Sequence, residues 1–423
     1  MSNSSENKIV DHLFRHQYGK MVAILIRLFG ASKIELVEDA IQDTFLKAAL
    51  KWRNELPKNP EAWLTLAAKN RVIDLLRQLN ATQERHDQII HGSVALEINE
   101  YFLDHEVADS QLRMIFLACN PTFSQAEQIA FALKSISGFS LKEIAAALLQ
   151  KEETIKKRLT RARLKIKEKA IQLEYPSANE IPARISAVLQ IIYLIFNEGF
   201  HSTKPDILIS KDLCGEALRL CKLLLVKERF RTGSLYALFA LLCFHSARLE
   251  SKISDGAIVD LKHQDRSKWY MPLIKLGFDA LAKSTEFADN SIYHLEAAIA
   301  VEHIQANKFE DTNWAQILTL YDEMYQLIPS DNILLSQASI LLQKEEAFLA
   351  KEKLEQINVS HLQQRQYLYH GVWAEYYDKT GNHGKALEEI ELAIESCSNQ
   401  LETHFLEQKR QAWISQHLDD IAS

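Results

Sequence analysis

The chain has 423 residues, of which 12 are Gly and 8 Pro; 47% are hydrophobic, 25% are charged, and the formal net charge is −7. At about 150 residues per domain this length predicts two or three domains, each able to bury its own core. So little Gly and Pro excludes collagen-like and low-complexity classes and disfavours an all-β architecture, whose hairpins need tight turns. Cys119, Cys214, Cys221, Cys243 and Cys397 are odd in number and widely spaced, without a CxxC pair. That argues against a disulfide framework and for a reducing compartment. The N-terminal residues have no basic stretch followed by an apolar one. The longest nearly apolar runs, Ala187–Phe196 and Leu235–Phe244, reach about half the length of a membrane span. The chain therefore reads as cytoplasmic, with no membrane partner.

Charge is divided unevenly. Residues 1–175 carry net +3 and residues 176–423 net −10, while Lys151–Lys169 alone holds nine Lys/Arg against three Glu. One strongly basic segment in an acidic chain predicts a local contact with a polyanion.

From Leu13 to Ala81 apolar residues recur at helical spacing: Val22, Leu25, Ile26, Phe29; then Leu36, Val37, Ala40, Ile41, Phe45; then Trp63, Leu64, Ala67, Val72, Leu75, Leu76. Pro57 and Pro60 separate the second set from the third. Asp39, Gln42 and Asp43 share a helical face beside the apolar stripe, which suits a protein partner or a solvated acidic surface. Further on, Asn59, Trp63, Lys69, Asn70, Arg71 and Arg77 set an aromatic beside cations and amides, a combination that suits an unstacked nucleic-acid strand. On its own, Trp63 reads more readily as core than as a base-stacking ring.

Gln83–Gln111 holds seven Asp/Glu against one Arg, and residues 83–108 read as an acidic linker. A second helical set runs from about Asp109 to Leu173. Within it, Ser140 and Glu143 form a capping box, and Ile144, Ala145 and Leu148 form an apolar side. After a short break the helix Glu152–Lys169 buries Ile155, Leu159, Ala162 and Ile166. Thr154, Lys156, Lys157, Arg158, Thr160, Arg161 and Arg163 lie around the rest of its surface. A capped helix, a short turn and a basic second helix make a helix-turn-helix, whose second helix enters the major groove. The turn has Leu149 and Gln150 where a Gly commonly stands.

From Pro176 onward only helical periodicity is visible. Tyr377, Gly381, Ala386 and Ala393 fit a tetratricopeptide helix pair, whose repeat is about 34 residues; such arrays bind a peptide or protein on a concave face. His245, Arg248, Asp255, His263, Gln264, Asp265 and Arg266 form a polar cluster in the chain. Its spacing matches no zinc pattern, so neither metal nor cofactor is expected. A hydrogen-bonded network with Arg–carboxylate pairs explains it most simply, and a small-ligand or peptide pocket is the alternative. No Gly-rich phosphate loop, H-E-x-x-H or G-x-S-x-G is present, so no enzyme is predicted.

Together these segments resemble the sigma-70 class of RNA polymerase sigma factors, specifically the extracytoplasmic-function type, which has only regions two and four. Val37–Phe45 resembles the region-two helix that binds the polymerase β′ clamp helices. Ala62–Arg77 resembles the helices that melt and read the −10 element, and Ser140–Lys169 resembles region four, which reads the −35 element. The resemblance implies an all-α fold: region two over 1–82, the linker over 83–108, region four over 109–175 and a helical, tetratricopeptide-like domain over 176–423. It implies that Asp39, Gln42, Asp43 and Phe45 contact core RNA polymerase (β′ and β), and that Asn59, Trp63, Lys69, Asn70, Arg71 and Arg77 lie at −10 DNA. Lys156, Lys157, Thr160 and Arg161 would face −35 bases, with Thr154, Arg158 and Arg163 on phosphates. The C-terminal half resembles that of a subgroup whose genes neighbour small YCII-like proteins, carried by Ile195–Phe200, His245–Arg248, Gln264–Trp269, Glu296–Ala300 and Thr312–Trp314, with departures at His263 and Glu296. It would regulate the factor in cis or through a protein partner. A stand-alone helix-turn-helix regulator and an interaction scaffold without sigma activity are the alternatives.

Overall fold

The computed structural model describes residues 17–52, 56–80, 104–148, 150–200, 211–254 and 257–416. The described residues are helical apart from turns and one minimal antiparallel pairing, Ile253–Ser254 with Ala257–Ile258. The chain divides into two compact units, Met1–Ile195 and Phe196–Ser423.

The described part of the first unit opens in helix α1 (residues 17–29). Gly30, at φ +90°, ends it in a conformation that favours glycine. Helix α2 (Ile34–Lys51) follows and buries Ile34, Val37, Ala40, Ile41, Phe45 and Ala48, one stripe at helical spacing. Helix α3 (Pro60–Asn80) packs on α2. Helix α4 (Asp104–Ala118) starts earlier than the acidic linker was expected to end. Residues 104–108 are therefore helix, and Glu106 among them and Asp109 just beyond have partners. Arg27 reaches Glu106 at 2.6 Å and Asp109 at 3.5 Å, while Arg113 and the Tyr175 hydroxyl also engage Asp109.

Helix α5 (Gln125–Phe131) opens with a capping box of Ser124 and Glu127 and runs into a π-helical turn over Ala132–Ile136. Helix α6 (Leu141–Ala147) opens with the expected box: the Ser140 N–H donates to Glu143 at 2.8 Å and the Glu143 N–H to Ser140 Oγ at 3.1 Å. Each box satisfies two amides that a helix start leaves unpaired. Helix α7 (Glu152–Glu168) buries the expected stripe Ile155, Leu159, Ala162 and Ile166 against α5 and α6.

Helix α8 (Ile181–Phe200) spans the boundary between the units. By length and composition it is the one described helix apolar enough to cross a membrane, longer than the ten-residue run read from the sequence. A core helix passes the same test. Its Ile185, Val188, Leu189, Ile192 and Ile195 are buried, and Arg184 near its start donates to the carbonyl of Phe116.

The second unit continues with α9 (Lys211–Leu225), α10 (Gly233–Ala247), α11 (Met271–Ser284), α12 (Ile292–Gln305), α13 (Trp314–Leu327), α14 (Asp331–Gln343), α15 (Ala347–Glu355), α16 (Gln366–Lys379), α17 (His383–Ser396) and α18 (Gln400–Gln416). Most helices adjacent in the chain pack on one another, whereas α12 packs on α10 rather than on α11. At Gly277 a Cβ would lie 2.4 Å from the Phe244 ring, so only glycine lets α11 approach α10 this closely. The α16–α17 pair turns at Gly381, φ +78°, and closes over the buried small side chains Ala374, Ala386 and Ala393.

Within the first unit, Lys165 of α7 donates to Glu127 at 2.6 Å. Burial alone would raise the Glu127 carboxyl, but the Lys165 ammonium and the Ser124 N–H and hydroxyl outweigh it and hold the group below its ordinary 4.5. A carboxyl depressed on folding stabilises above its unfolded value, and that contribution is lost as pH falls through the folded one. Thermal melts should therefore show Glu127→Gln less stable than the parent at neutral pH, on the order of 1 kcal/mol. The gap should narrow between about pH 5 and pH 3; an unchanged gap across that window would count against the pair.

Candidate nucleic-acid interface

The outward face of α2 is acidic at its start and apolar at its end. Asp39 and Gln42 are exposed and Asp43 is half-buried. Burial and the neighbouring Glu35 carboxylate push the Asp39 carboxyl up. Leu46 and Leu50, 63% and 55% exposed, continue the same line at i+7 and i+11 from Asp39. Phe45, expected at the partner surface, instead lies in the core at 4% exposure. The sequence reading did not single out Leu46 and Leu50, although their offset from Asp39 and Asp43 was the available signal.

On α3, Asn59 caps the helix by accepting from the Ala62 N–H at 3.1 Å. Trp63 is half-buried and sits edge-on to Trp52, ring centroids 5.4 Å apart. Lys69 is 8% exposed and Asn70 is open to solvent. Arg71 pairs with Asp43 of α2 at 2.7 Å. Arg77 is exposed, with Asp74 3.6 Å away. Asn70 and Arg77 are thus the freest of this group, while Lys69 faces inward and Arg71 ties α3 to the acidic face of α2.

On α7, Lys156, Lys157, Thr160 and Arg161 are exposed on the side away from the buried stripe, and Thr154 and Arg158 flank them half-buried. Lys157 keeps a loose 3.9 Å contact with Glu153 within the helix. This is one open cationic face on a helix held rigidly from behind, the geometry a groove-binding helix requires.

Arg163 differs from the outward position expected for a phosphate contact. Its guanidinium turns back to α2, donates to Glu38 and lies 3.6 Å from Glu35. Glu38 is 1% exposed and also accepts from the Ser135 hydroxyl at 2.7 Å. Burial alone would lower the Arg163 guanidinium, but Glu38 and then Glu35 outweigh it and raise it. Lys134 lies over the Tyr18 ring, 5.2 Å from its centroid. Gly19 meets the π turn so closely that a Cβ there would stand 1.7 Å from the Ile136 carbonyl oxygen. The two helical segments of the first unit are therefore interlocked through a buried ion pair. Both partners were legible in principle. Glu38 falls on the spacing of Ile34, Ile41 and Phe45, and Arg163 sits four residues from Leu159.

In the second unit, His245 packs beside the stacked rings of Phe196 and Phe200. Gln264 bridges Ser251 and the Val259 carbonyl, and Asp265 accepts from Ser267 in its own turn. Arg266 donates to the carbonyls of His303 and Ala306. Among the described residues the expected Arg–carboxylate pairs are replaced by bonds to backbone carbonyls and neutral side chains, and Asp265 has Lys268 rather than an arginine, at 3.8 Å. Asp255 lies outside the described residues. Among the described residues no group of three or more His, Cys, Asp or Glu is arranged to hold a metal ion.

The family model "Sigma-70 region 2" matches residues 13–82 and "Sigma-70, region 4" matches residues 122–166. Residues 184–285 match a "Family of unknown function (DUF6596)". An uncharacterized protein of Rhizobium meliloti (strain 1021) is 31% identical over 415 residues, covering 94% of this chain and 92% of the relative. No solved structure matches.

The Glu38–Arg163 pair can be measured by a double-mutant cycle. Removing one partner strands the other in the interior, which costs about 3–5 kcal/mol for fully buried pairs. Arg163, 21% exposed in its side chain, places the expected loss for Glu38→Gln or Arg163→Met near the lower end. Denaturation of the double variant should recover part of that loss, and purely additive losses would show that the two groups are not coupled.

Proposed function

The chain belongs to the sigma-70 family of transcription initiation factors, and we propose that it is of the extracytoplasmic-function type, cytoplasmic, and captured here in a closed form that precedes polymerase binding. A sigma factor binds core RNA polymerase and directs it to promoter DNA; the polymerase performs the chemistry. The observation that carries the reading is the open cationic face of α7, Lys156, Lys157, Thr160 and Arg161, on a capped helix-turn-helix.

Asp39, Gln42 and Asp43, continued by Leu46 and Leu50, are the polymerase-facing stripe. Acidic groups at one end steer the encounter and two exposed leucines supply apolar burial. Asn70 and Arg77 are available to a separated −10 strand, joined by Arg71 once Asp43 turns to the polymerase. Trp63 reaches bases only if its edge contact with Trp52 is given up. Lys156, Lys157, Thr160 and Arg161 read −35 edges, with Thr154 and Arg158 on phosphates.

Reading both elements demands separation. Elements about 25 base pairs apart at roughly 3.4 Å each stand on the order of 80 Å apart, whereas Glu38 of α2 and Arg163 of α7 are in direct contact. Opening the interlock releases Arg163 toward a phosphate. The 81–103 stretch, at roughly 3.5 Å per extended residue, has the covalent reach for that separation. The second unit, read as tetratricopeptide-like from its helix pairs, is the domain through which a protein or peptide partner would govern the opening.

In vitro transcription with core polymerase on upstream genomic fragments tests this. The full chain should yield promoter-specific transcripts. Lys156→Ala with Arg161→Ala should abolish them while leaving polymerase binding intact, and should cost duplex binding about 1–3 kcal/mol per lost base contact while relaxing the preference for the −35 sequence. Absence of polymerase binding by the unmodified chain would overturn the assignment. Gly19→Ala tests the closure separately. It introduces a clash only in the closed form and favours the helix itself, so it should lower the melting temperature yet tighten polymerase binding. Equal or weaker binding would refute a closed resting form.

A further inference from the structure

In the second unit, basic side chains converge where the end of α10, the loop that follows it and the end of α12 come together. Arg248, the residue after α10, feels burial and then the neighbouring Arg266, and no carboxylate. Lys252 is 8% exposed; burial, with Arg248 second, pushes its ammonium down to about 7. His303 of α12 is lowered by burial, then Arg248 and Arg266, to about 4. Burial, with Arg248 and Lys252 next, also keeps His245 neutral.

The hydrogen-bonding account is incomplete here. Arg248 Nε, Arg266 Nη2 and His303 Nδ1 are buried without a partner, as are the nearby hydroxyls of Ser246 and Thr312. Lys252 has only the Phe200 carbonyl, at 2.9 Å, and the Phe200 ring, 3.7 Å from its nitrogen. The acidic groups that act on the cluster, Glu402 on Lys252 and Asp311 and Glu310 on Arg266, do so at a distance.

Bonds to neutral groups hold the loop: Trp269 Nε1 to Ser251 Oγ at 3.0 Å, Ser251 to Gln264, Gln264 to the Val259 carbonyl, and Arg266 to the His303 and Ala306 carbonyls. Mutually repelling, buried cations whose carboxylates stand only at a distance destabilise a fold. An array of unpaired N–H donors with positive charge is the complement of an oxyanion. Two guanidiniums, Arg248 and Arg266, with Lys252 regaining its proton as an anion arrives, match a dianion better than a carboxylate.

We propose that Arg248, Lys252, Arg266 and His303 form a binding site for a phosphate group, and that an anion there completes this part of the second unit. A phosphate-bearing ligand would thereby act as an input to the domain, independently of whether the first unit works as a sigma factor.

Calorimetric titration of the full chain at pH 7.5 and constant ionic strength tests the site with three probes: inorganic phosphate, phenyl phosphate and acetate. Phosphate should bind saturably with a Kd at or below about 1 mM and raise the melting temperature. Binding of phenyl phosphate too would assign the site to a phosphate ester, and binding of inorganic phosphate alone to the free ion. Arg248→Met should weaken binding about tenfold or more. It should melt no lower than the parent without phosphate, because it strands no carboxylate. Lys156→Ala with Arg161→Ala should leave phosphate binding unchanged, separating this site from the DNA-facing helix. Absence of saturable binding, equal binding of acetate, or unaltered binding by Arg248→Met would each overturn the proposal.

Discussion

A carboxylate taken out of water must be met by charge and hydrogen bonds, and Glu38 imposes that requirement on the first unit. Its own helix supplies no cation to it. Its partners, the Ser135 hydroxyl and the Arg163 guanidinium, come from the π turn and from α7. Satisfying one side chain therefore fixes where the second helical segment sits on the first. With α7 pinned through Arg163 on one side and Lys165 on another, and its apolar stripe seated on α5 and α6, the remaining side must point outward. That side carries Lys156, Lys157, Thr160 and Arg161. The orientation of the cationic face follows from the buried acid behind it.

The second unit shows the same physics left open. Around Glu38 each buried charge meets its opposite. Around Arg248 the close charges share one sign, the carboxylates stand at a distance, and bonds to neutral groups do the structural work. A solvated arginine tolerates neighbours of like charge because water screens them; a buried one does not. The two clusters therefore differ in kind: the first is complete within the chain, and the second becomes complete with an anion.

Much of this was readable beforehand, in proportion to how local the cause was. The Ser140–Glu143 box and the α7 stripe follow from residues within a turn or two of one another, and both stand as expected. So does the all-α class, which rests on helical periodicity and scarce turn residues. The misplacements share another origin. Phe45 and Lys69 lie on faces covered by neighbouring segments, and the linker was extended over 104–108 because the partner of Glu106, Arg27, is far away in the chain. Arg163 was set on the DNA side because a helical wheel shows one buried stripe, and α7 has a second contact, with α2, that no periodicity in α7 encodes. The unpaired cations near Arg248 were visible as residues, but their lack of partners is a statement about three dimensions.

The closed arrangement also sets an energetic condition on its own release. The Glu38–Arg163 pair and the close seat of Gly19 on Ile136 hold the first unit closed. A ligand shifts such an equilibrium only by its difference in affinity for the two forms. Moving a closed form from 99:1 to 1:99 takes about 5.5 kcal/mol of that difference. Polymerase can supply it, because α2 and α7 offer their faces at a distance from one another only when open. DNA alone supplies less: the exposed face of α7 is present in both forms, and only Arg163 is gained on opening. Duplex contact by α7 is therefore nearly indifferent to the interlock, and the polymerase, by engaging α2 and α7 apart, is the partner able to break it.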